Sequence, residues 1–386
     1  MAPDLGRPVR VVYLTHVARL SGAEIGLLRL VGATRSVEAT VLLAEDGPLA
    51  GALREAGAQV EVLPLREDAR DLRRTEVRPG VHALRAGTEV LRYAGRVARR
   101  VRELDPDLLH AGSLKAGIYG SLAARLTRRP LVWQLADQLS PDYLPAAVVP
   151  SMRAVVSVAP SGLVVPSRAT LTATGRHFRP GLRTAVVPFP VPIPETPIEP
   201  REALGVVGIV GRLTPWKGQH VFLEGFAQAF PDGSQRAHII GSAMFGEEDY
   251  GDELVALAHR LGIGDRVEFR GFRSDVEAEL RGLDALVHAS TSAEPFGMVV
   301  PEGMAAGLPV VASRAGGPAE YLEEGRTGLL YPPGDAGALA AALRRLADDR
   351  DLRVRLGRDG REKAREYAPA LVAAQMEDFY ARVLGR

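Results

Sequence analysis

The chain has 386 residues, 46% hydrophobic and 25% charged, a composition that fits two or three folded domains and excludes disordered and collagen-like classes. Its 48 Lys+Arg and 47 Asp+Glu nearly cancel, so the basic surplus of nucleic-acid-binding proteins is missing and no nucleic-acid partner is expected. Without any cysteine, disulfide frameworks, thiolate zinc sites and cysteine nucleophiles are excluded together.

The opening stretch MAPDLGRPVRVVYLTH has no signal-peptide cleavage pattern and reads as a first strand over 9–14. No apolar run approaches the ~18 residues of a membrane span, so a cytoplasmic protein is expected, with at most peripheral membrane contact. Further strands are predicted at 39–44, 59–65, 107–112, 130–136 and 162–167. A second set follows at 207–212, 237–242, 266–271, 284–290, 309–314 and 328–332. Helical patterns lie between them, which predicts α/β architecture with two doubly wound parallel sheets. Residues 84–104 place Val90, Ala94, Val97, Val101 and Leu104 on one face, with arginines interleaved. Such a helix either covers the first sheet or lies on an anionic membrane, and the strand that follows at once favours the sheet.

Prolines at 188, 190, 192, 194, 197 and 200 hold the backbone extended and mark 188–204 as a semi-rigid linker. It divides an N-terminal domain, 1–187, from a second domain, 205–366. Residues 367–386 read as a terminal amphipathic helix beginning near Pro369.

The second domain carries the chemistry. VGIVGRLTPWKG (207–218) ends a strand at Gly211 and then offers Arg212 and Lys217. Ligands of doubly wound sheets sit at the carboxyl ends of strands near a topological switch point. A forked and a point cation there suit a phosphate or diphosphate, although the spacing of a Walker loop is absent. After the strand at 284–290, Glu294 stands in a loop and Pro295-Phe296-Gly297 turns the chain. Glu302 then projects from a helix expected to begin near Gly297 and to close at Gly307. Amides at 297–299 form an anion site, and the two carboxylates can accept hydrogen bonds from sugar hydroxyls. These are the requirements of a nucleotide-sugar.

VGRLTPWKG, EFRGF (268–272), EPFGMVVPE and ASRAGGPAEYLEEGRTGLLYPPGD together resemble the C-terminal domain of the retaining glycosyltransferases of family 4. The resemblance is close over 205–335 and fair over 9–30 and 105–137. It implies the GT-B architecture: two Rossmann-like domains facing across a cleft, with a C-terminal helix crossing back. By the resemblance, Arg212 and Lys217 are similar to the diphosphate ligands, and Glu294 to the acid that holds the donor sugar's hydroxyls. Gly211, Phe296, Gly297 and Met298 line the sugar and phosphates, Glu302 binds the ribose, and Phe272-Arg273 stand where the base packs. LSGAE (20–24) resembles the family's GGAE loop, where Gly22 lets the backbone approach the donor. Glu24 is equally well read as an acid favoured in a first helical turn.

The implied reaction moves a sugar from a nucleotide-diphosphate sugar, UDP before GDP, to a hydroxyl of a small-molecule or lipid-linked acceptor. It retains configuration by front-face attack and involves Glu294, Arg212, Lys217 and Asp137. No cofactor or divalent metal is expected. Alternatives are a GT-B nucleotide-sugar epimerase or phosphorylase, or a non-catalytic nucleotide-binding GT-B protein. Two departures stand out: Ala136-Asp137 replaces the family's frequent His before Asp, and Pro188-Phe189-Pro190 replaces an Asn-Gly-Val turn. His16 and His110, at carboxyl ends of N-terminal strands, are candidates to face the acceptor. His238 and His288 read as packing positions in strands. Asp105-Pro106-Asp107 and Asp349-Arg350-Asp351 spell DxD but fall where a structural role is expected, and no histidine spacing proposes a metal site.

Overall fold

Two separate parallel sheets, each interleaved with helices, make up the computed structural model, which describes residues 7–65, 81–141, 144–175, 178–243 and 247–386. The first sheet contains β1 (Val9–Thr15), β2 (Val37–Leu43), β3 (Gln59–Val62), β4 (Leu108–Ala111), β5 (Leu131–Gln134), β6 (Gly162–Val165) and β7 (Arg183–Val186). Their order is β3-β2-β1-β4-β5-β6-β7, so the winding reverses between β1 and β4. β4, β5 and β6 are buried along their whole length, as strands covered by helices on both faces must be. β7 was not expected from the sequence. Its RTAV is a partly exposed edge strand, and two polar residues in four hide it from a hydrophobic pattern.

The helix Val81–Leu104 covers this sheet: Tyr93, Ala94, Val97, Ala98 and Val101 are buried against Val12, Leu14, Leu42 and Leu109. On its outer side Arg100 pairs with Glu61 of β3 and with Glu103 of the same helix. The last helix, Pro369–Leu384, inserts Val372, Met376, Phe379 and Tyr380 into the core formed by Val9, Tyr13 and Leu30. Its Glu377 accepts the backbone N–H groups of Arg35 and Ser36 at 2.7 and 2.9 Å. One compact unit therefore comprises residues 1–190 and 369–386, and the other comprises 191–368.

The second unit holds β8 (Val206–Val210), β9 (Arg236–Ile240), β10 (Val267–Gly271), β11 (Ala285–His288), β12 (Val310–Ser313) and β13 (Leu329–Tyr331). The order β10-β9-β8-β11-β12-β13 reverses between β8 and β11. The helix after β11 spans Val299–Ala306, two residues later than expected. Gly297 has φ +74°, a left-handed conformation that a helix cannot contain, and it ends the preceding turn instead.

Candidate nucleotide-sugar site

β8 and β11 are neighbours at the reversal of the second sheet, and each sends a loop from its carboxyl end. The loop after β8 contains the short 3₁₀ turn Pro215–Lys217. Gly218 follows with φ +72°, and a Cβ placed there would lie 1.9 Å from the Ala289 carbonyl oxygen. Only glycine lets the two loops approach so closely. The Thr291 N–H donates to the Trp216 carbonyl at 2.8 Å and ties them together.

This approach brings together residues 77 positions apart. Lys217 Nζ donates to Glu294 Oε1 and Oε2 at 2.7 and 2.8 Å, and lies 4.4 Å from the centroid of the Trp216 ring. Ser290 Oγ donates to Glu294 Oε2 at 2.8 Å, and His288 Nε2 is 3.4 Å from the same oxygen. The Gly317 N–H holds the Glu294 carbonyl at 2.8 Å. Burial opposes the charge of Glu294, but the Lys217 ammonium and the hydrogen bond from His288 outweigh it and keep the carboxyl well below its usual range. At neutral pH the site therefore contains a buried carboxylate clamped by an ammonium.

Arg212 lies half-buried on the same β8 loop, its Nε 3.9 Å from Glu247 Oε2. Glu247 is also held by Thr214 Oγ1, at 2.6 Å. Gly211, just past β8, has open space where a side chain would be. Glu302 is half-buried in the first turn of Val299–Ala306, and Met298 is its N-cap residue. Phe272, 57% exposed, and Arg273, which pairs with Glu279, follow β10, two strands from β8 along the same carboxyl edge.

Two expectations require correction. The Phe296 ring, expected beside the sugar and phosphates, is turned into the protein rather than displayed at the surface. It is buried with Tyr321 and Tyr367, ring centroids 5.5 and 5.7 Å away, while the Tyr321 hydroxyl donates to the Phe296 carbonyl at 2.7 Å. Its apolar ring finds a better environment inside that cluster than in water, so it anchors the turn. His288 is not a packing residue. It occupies the last position of β11, and that position at the carboxyl end was the signal available in the sequence.

In the first unit, Gly22 opens the helix Gly22–Ala33, and Glu24 in its first turn accepts from the Ser21 hydroxyl. Glu24 is 5% exposed, and burial, with Asp137 and Glu45 adding, pushes its carboxyl up from the usual range. Asp137 is buried in the loop after β5. His16 Nδ1 lies 2.8 Å from Ser113 Oγ, at the ends of β1 and β4, where the first sheet reverses. His110 is the third correction. It is fully buried, with Nδ1 2.6 Å from the Tyr380 hydroxyl and Nε2 3.0 Å from Gln134 Oε1. Burial pushes it down to about 4, so it stands neutral beneath the terminal helix and closed off from solvent.

Both DxD sequences are committed to structure. Asp107 accepts from Arg7 at 2.6 Å and from the Arg10 N–H at 2.9 Å, and Asp349 caps Arg350–Ala364 by accepting from the Leu352 N–H at 2.7 Å. Among the described residues no cluster of three His, Asp or Glu could hold a metal ion, and no helix is long and apolar enough to cross a membrane.

Two Rossmann-like domains, the second with a cation–carboxylate site at its switch point, define the GT-B class. The family model "Glycosyl transferases group 1" matches residues 197–363, and "Glycosyl transferase 4-like domain" matches 47–190. Between them they account for most of the chain, which belongs to the GT4-type glycosyltransferase family. Among solved structures it is similar to Anabaena Alr3699/HepE in complex with UDP-glucose, at 28% identity and TM-score 0.82 over 97% of this chain and 99% of that one. Sucrose-phosphate synthase (tll1590) from Thermosynechococcus elongatus shares the fold, with TM-score 0.77 at 19% identity over 98% and 99% of the two chains. Among curated proteins, D-inositol 3-phosphate glycosyltransferase of Corynebacterium glutamicum (strain R) is 38% identical over 180 residues, 45% of this chain and 43% of that protein. Lipopolysaccharide core biosynthesis glycosyltransferase LpsE of Rhizobium meliloti is 35% identical over 157 residues, 41% and 44% of the respective chains. The chain matches less than half the length of these curated relatives.

Proposed function

We propose that this protein is a retaining glycosyltransferase that takes its sugar from a UDP-sugar and passes it to an acceptor hydroxyl without a divalent metal. The observation that carries the reading is the Lys217–Glu294 pair at the β8/β11 switch point. A cation and a carboxylate held within hydrogen-bond distance of each other serve a ligand that joins phosphate to hydroxyl-rich sugar. Lys217 and Arg212 meet the diphosphate, Glu294 the sugar hydroxyls and Glu302 the ribose, while Phe272 and Arg273 flank the base. UDP is favoured over GDP because the similar HepE structure holds UDP-glucose.

In the reaction the bond from the anomeric carbon to the β-phosphate oxygen breaks. The acceptor oxygen bonds to that carbon on the same face, and its proton passes to the departing phosphate. The protein's share is positioning and electrostatic stabilisation of the leaving diphosphate. By the resemblance, Ala136 replaces a histidine that meets the donor sugar, and Gln134 is occupied by His110. A methyl group there suits a donor lacking a polar 6-substituent.

A thermal-denaturation panel of UDP, GDP, ADP and dTDP tests the reading. A cognate nucleotide at ~100 Kd adds about 2.7 kcal/mol, worth about 5–11 °C in a unit of this size. No shift with any nucleotide would overturn the assignment.

A further inference from the structure

Resting on that reading, we infer that His288 is a positioning residue that takes up a proton when the donor diphosphate binds, becoming the counter-charge of Glu294 as Lys217 turns to the phosphates. The geometry of the ring's neighbours carries this. The single proton of Ser290 Oγ goes to Glu294 Oε2 at 2.8 Å. Ser290 Oγ, 3.1 Å from His288 Nε2, therefore faces the ring as an acceptor and requires Nε2 to carry hydrogen. On the other side, Ser313 Oγ gives its proton to the Ser290 carbonyl at 2.7 Å and lies 3.5 Å from Nδ1. It too presents lone pairs rather than a proton. Both ring nitrogens thus face oxygens able to accept, an environment suited to the doubly protonated ring as well as to the neutral one.

The charges around the ring say when the proton is needed. Glu294 and, beyond it, Lys217 face His288 from the loops after β11 and β8. β12 contributes the Ser313 hydroxyl. β13 contributes Tyr331, whose hydroxyl donates to the His288 carbonyl at 3.4 Å and is kept neutral by burial. In the free site Lys217 neutralises Glu294. A diphosphate beside Lys217 draws on the same positive charge and leaves a carboxylate that is 7% exposed under-compensated. His288, 3% exposed and 3.4 Å from that carboxylate, is placed to supply the missing charge.

The sign follows from linkage. Binding that takes up a proton weakens as pH rises, by at most tenfold per pH unit for one proton. The test is calorimetric titration of the full chain with UDP at pH 7.5, in buffers of different ionisation enthalpy. The terminal phosphate of UDP, with a second pKa near 6, is already ionised there. Wild type is expected to show a buffer-dependent enthalpy that corresponds to proton uptake, and a Kd that rises several-fold between pH 6.5 and 8. His288→Asn is expected to show neither, with a Kd flat across the range. Ser313→Ala, which keeps the imidazole but removes the oxygen facing Nδ1 together with its hydrogen bond to the Ser290 carbonyl, guards against a misfolded histidine variant and is expected to lower the uptake. If wild type binds UDP with a buffer-independent enthalpy, or His288→Asn keeps the uptake, the inference fails while the nucleotide-site reading stands. If no nucleoside diphosphate binds, both fall.

Discussion

Replacing Lys217 by alanine should separate what the ion pair does for stability from what it does for turnover. The substitution strands a carboxylate that is almost fully buried, and breaking such a pair from one side costs about 3–5 kcal/mol. The lower end applies, because Lys217 is 22% exposed and Ser290 and His288 still engage Glu294. About 3 kcal/mol in a unit spanning residues 191–368 corresponds to about 6–12 °C in its melting temperature. Adding Glu294→Gln removes the stranded charge, so the double variant should regain most of that stability. Turnover should not follow: loss of one preorganised contact to the leaving group costs about 10²–10³ in kcat, and the double variant has lost both groups. Acid should narrow the gap. The Glu294 carboxyl in the native protein lies below its ordinary value, so its stabilising share is present above the usual carboxylate range and is lost as pH falls through the lowered value. Without Lys217 the group accepts a proton more readily, and the single variant's deficit should shrink between pH 7 and 4.5. Thermal denaturation paired with a donor-turnover assay measures all of this. A double variant no more stable than the single, or full turnover in Lys217→Ala, would refute the reasoning.

Activity should persist in EDTA, since both DxD sequences are spent on arginines and a helix cap; loss in EDTA with recovery on adding Mn²⁺ would contradict this. Glu302→Ala should weaken UDP binding by about 1.5–3 kcal/mol, read by calorimetric titration, with a smaller effect on kcat. Gly218→Ala should lower the melting temperature markedly, because φ +72° and a contact of 1.9 Å with the Ala289 carbonyl cannot both be relieved. Donor competition between a hexose and its 6-deoxy counterpart should favour the deoxy form, and a clear preference for the 6-hydroxyl would remove the argument from Ala136.

Sheets and site residues were legible to different degrees. Strands of continuous Val, Leu and Ile announce themselves because parallel strands are buried on both faces, whereas the edge strand Arg183–Val186 carries too little apolar side chain to be seen. Arg212, Lys217, Glu294 and Glu302 could be singled out because loops at the carboxyl ends of strands have a known use. What they do to each other could not. The bond between Lys217 and Glu294 spans 77 residues and depends on a glycine that lets two loops touch. Burial of β11 on both faces places His288 inside the protein but cannot say whether its neighbours there are leucines or a carboxylate. His110 shows the converse: a strand-end histidine that resembled a site residue is covered by Tyr380, 270 positions later in the chain.

That late cover affects how the molecule is made. Residues 369–386 complete the core of a unit whose other members end at 190, so the ribosome adds the intervening stretch, 191–368, before the missing piece exists. At about 5–20 residues per second this takes roughly 10–35 s. Throughout that time Val9, Tyr13 and Leu30 lack their partners Met376, Phe379 and Tyr380, and the buried imidazole of His110 lacks its phenol. The second unit, continuous in sequence, has no such wait. The second unit can therefore be completed before the first, whose apolar groove stays uncovered until residues 369–386 are made.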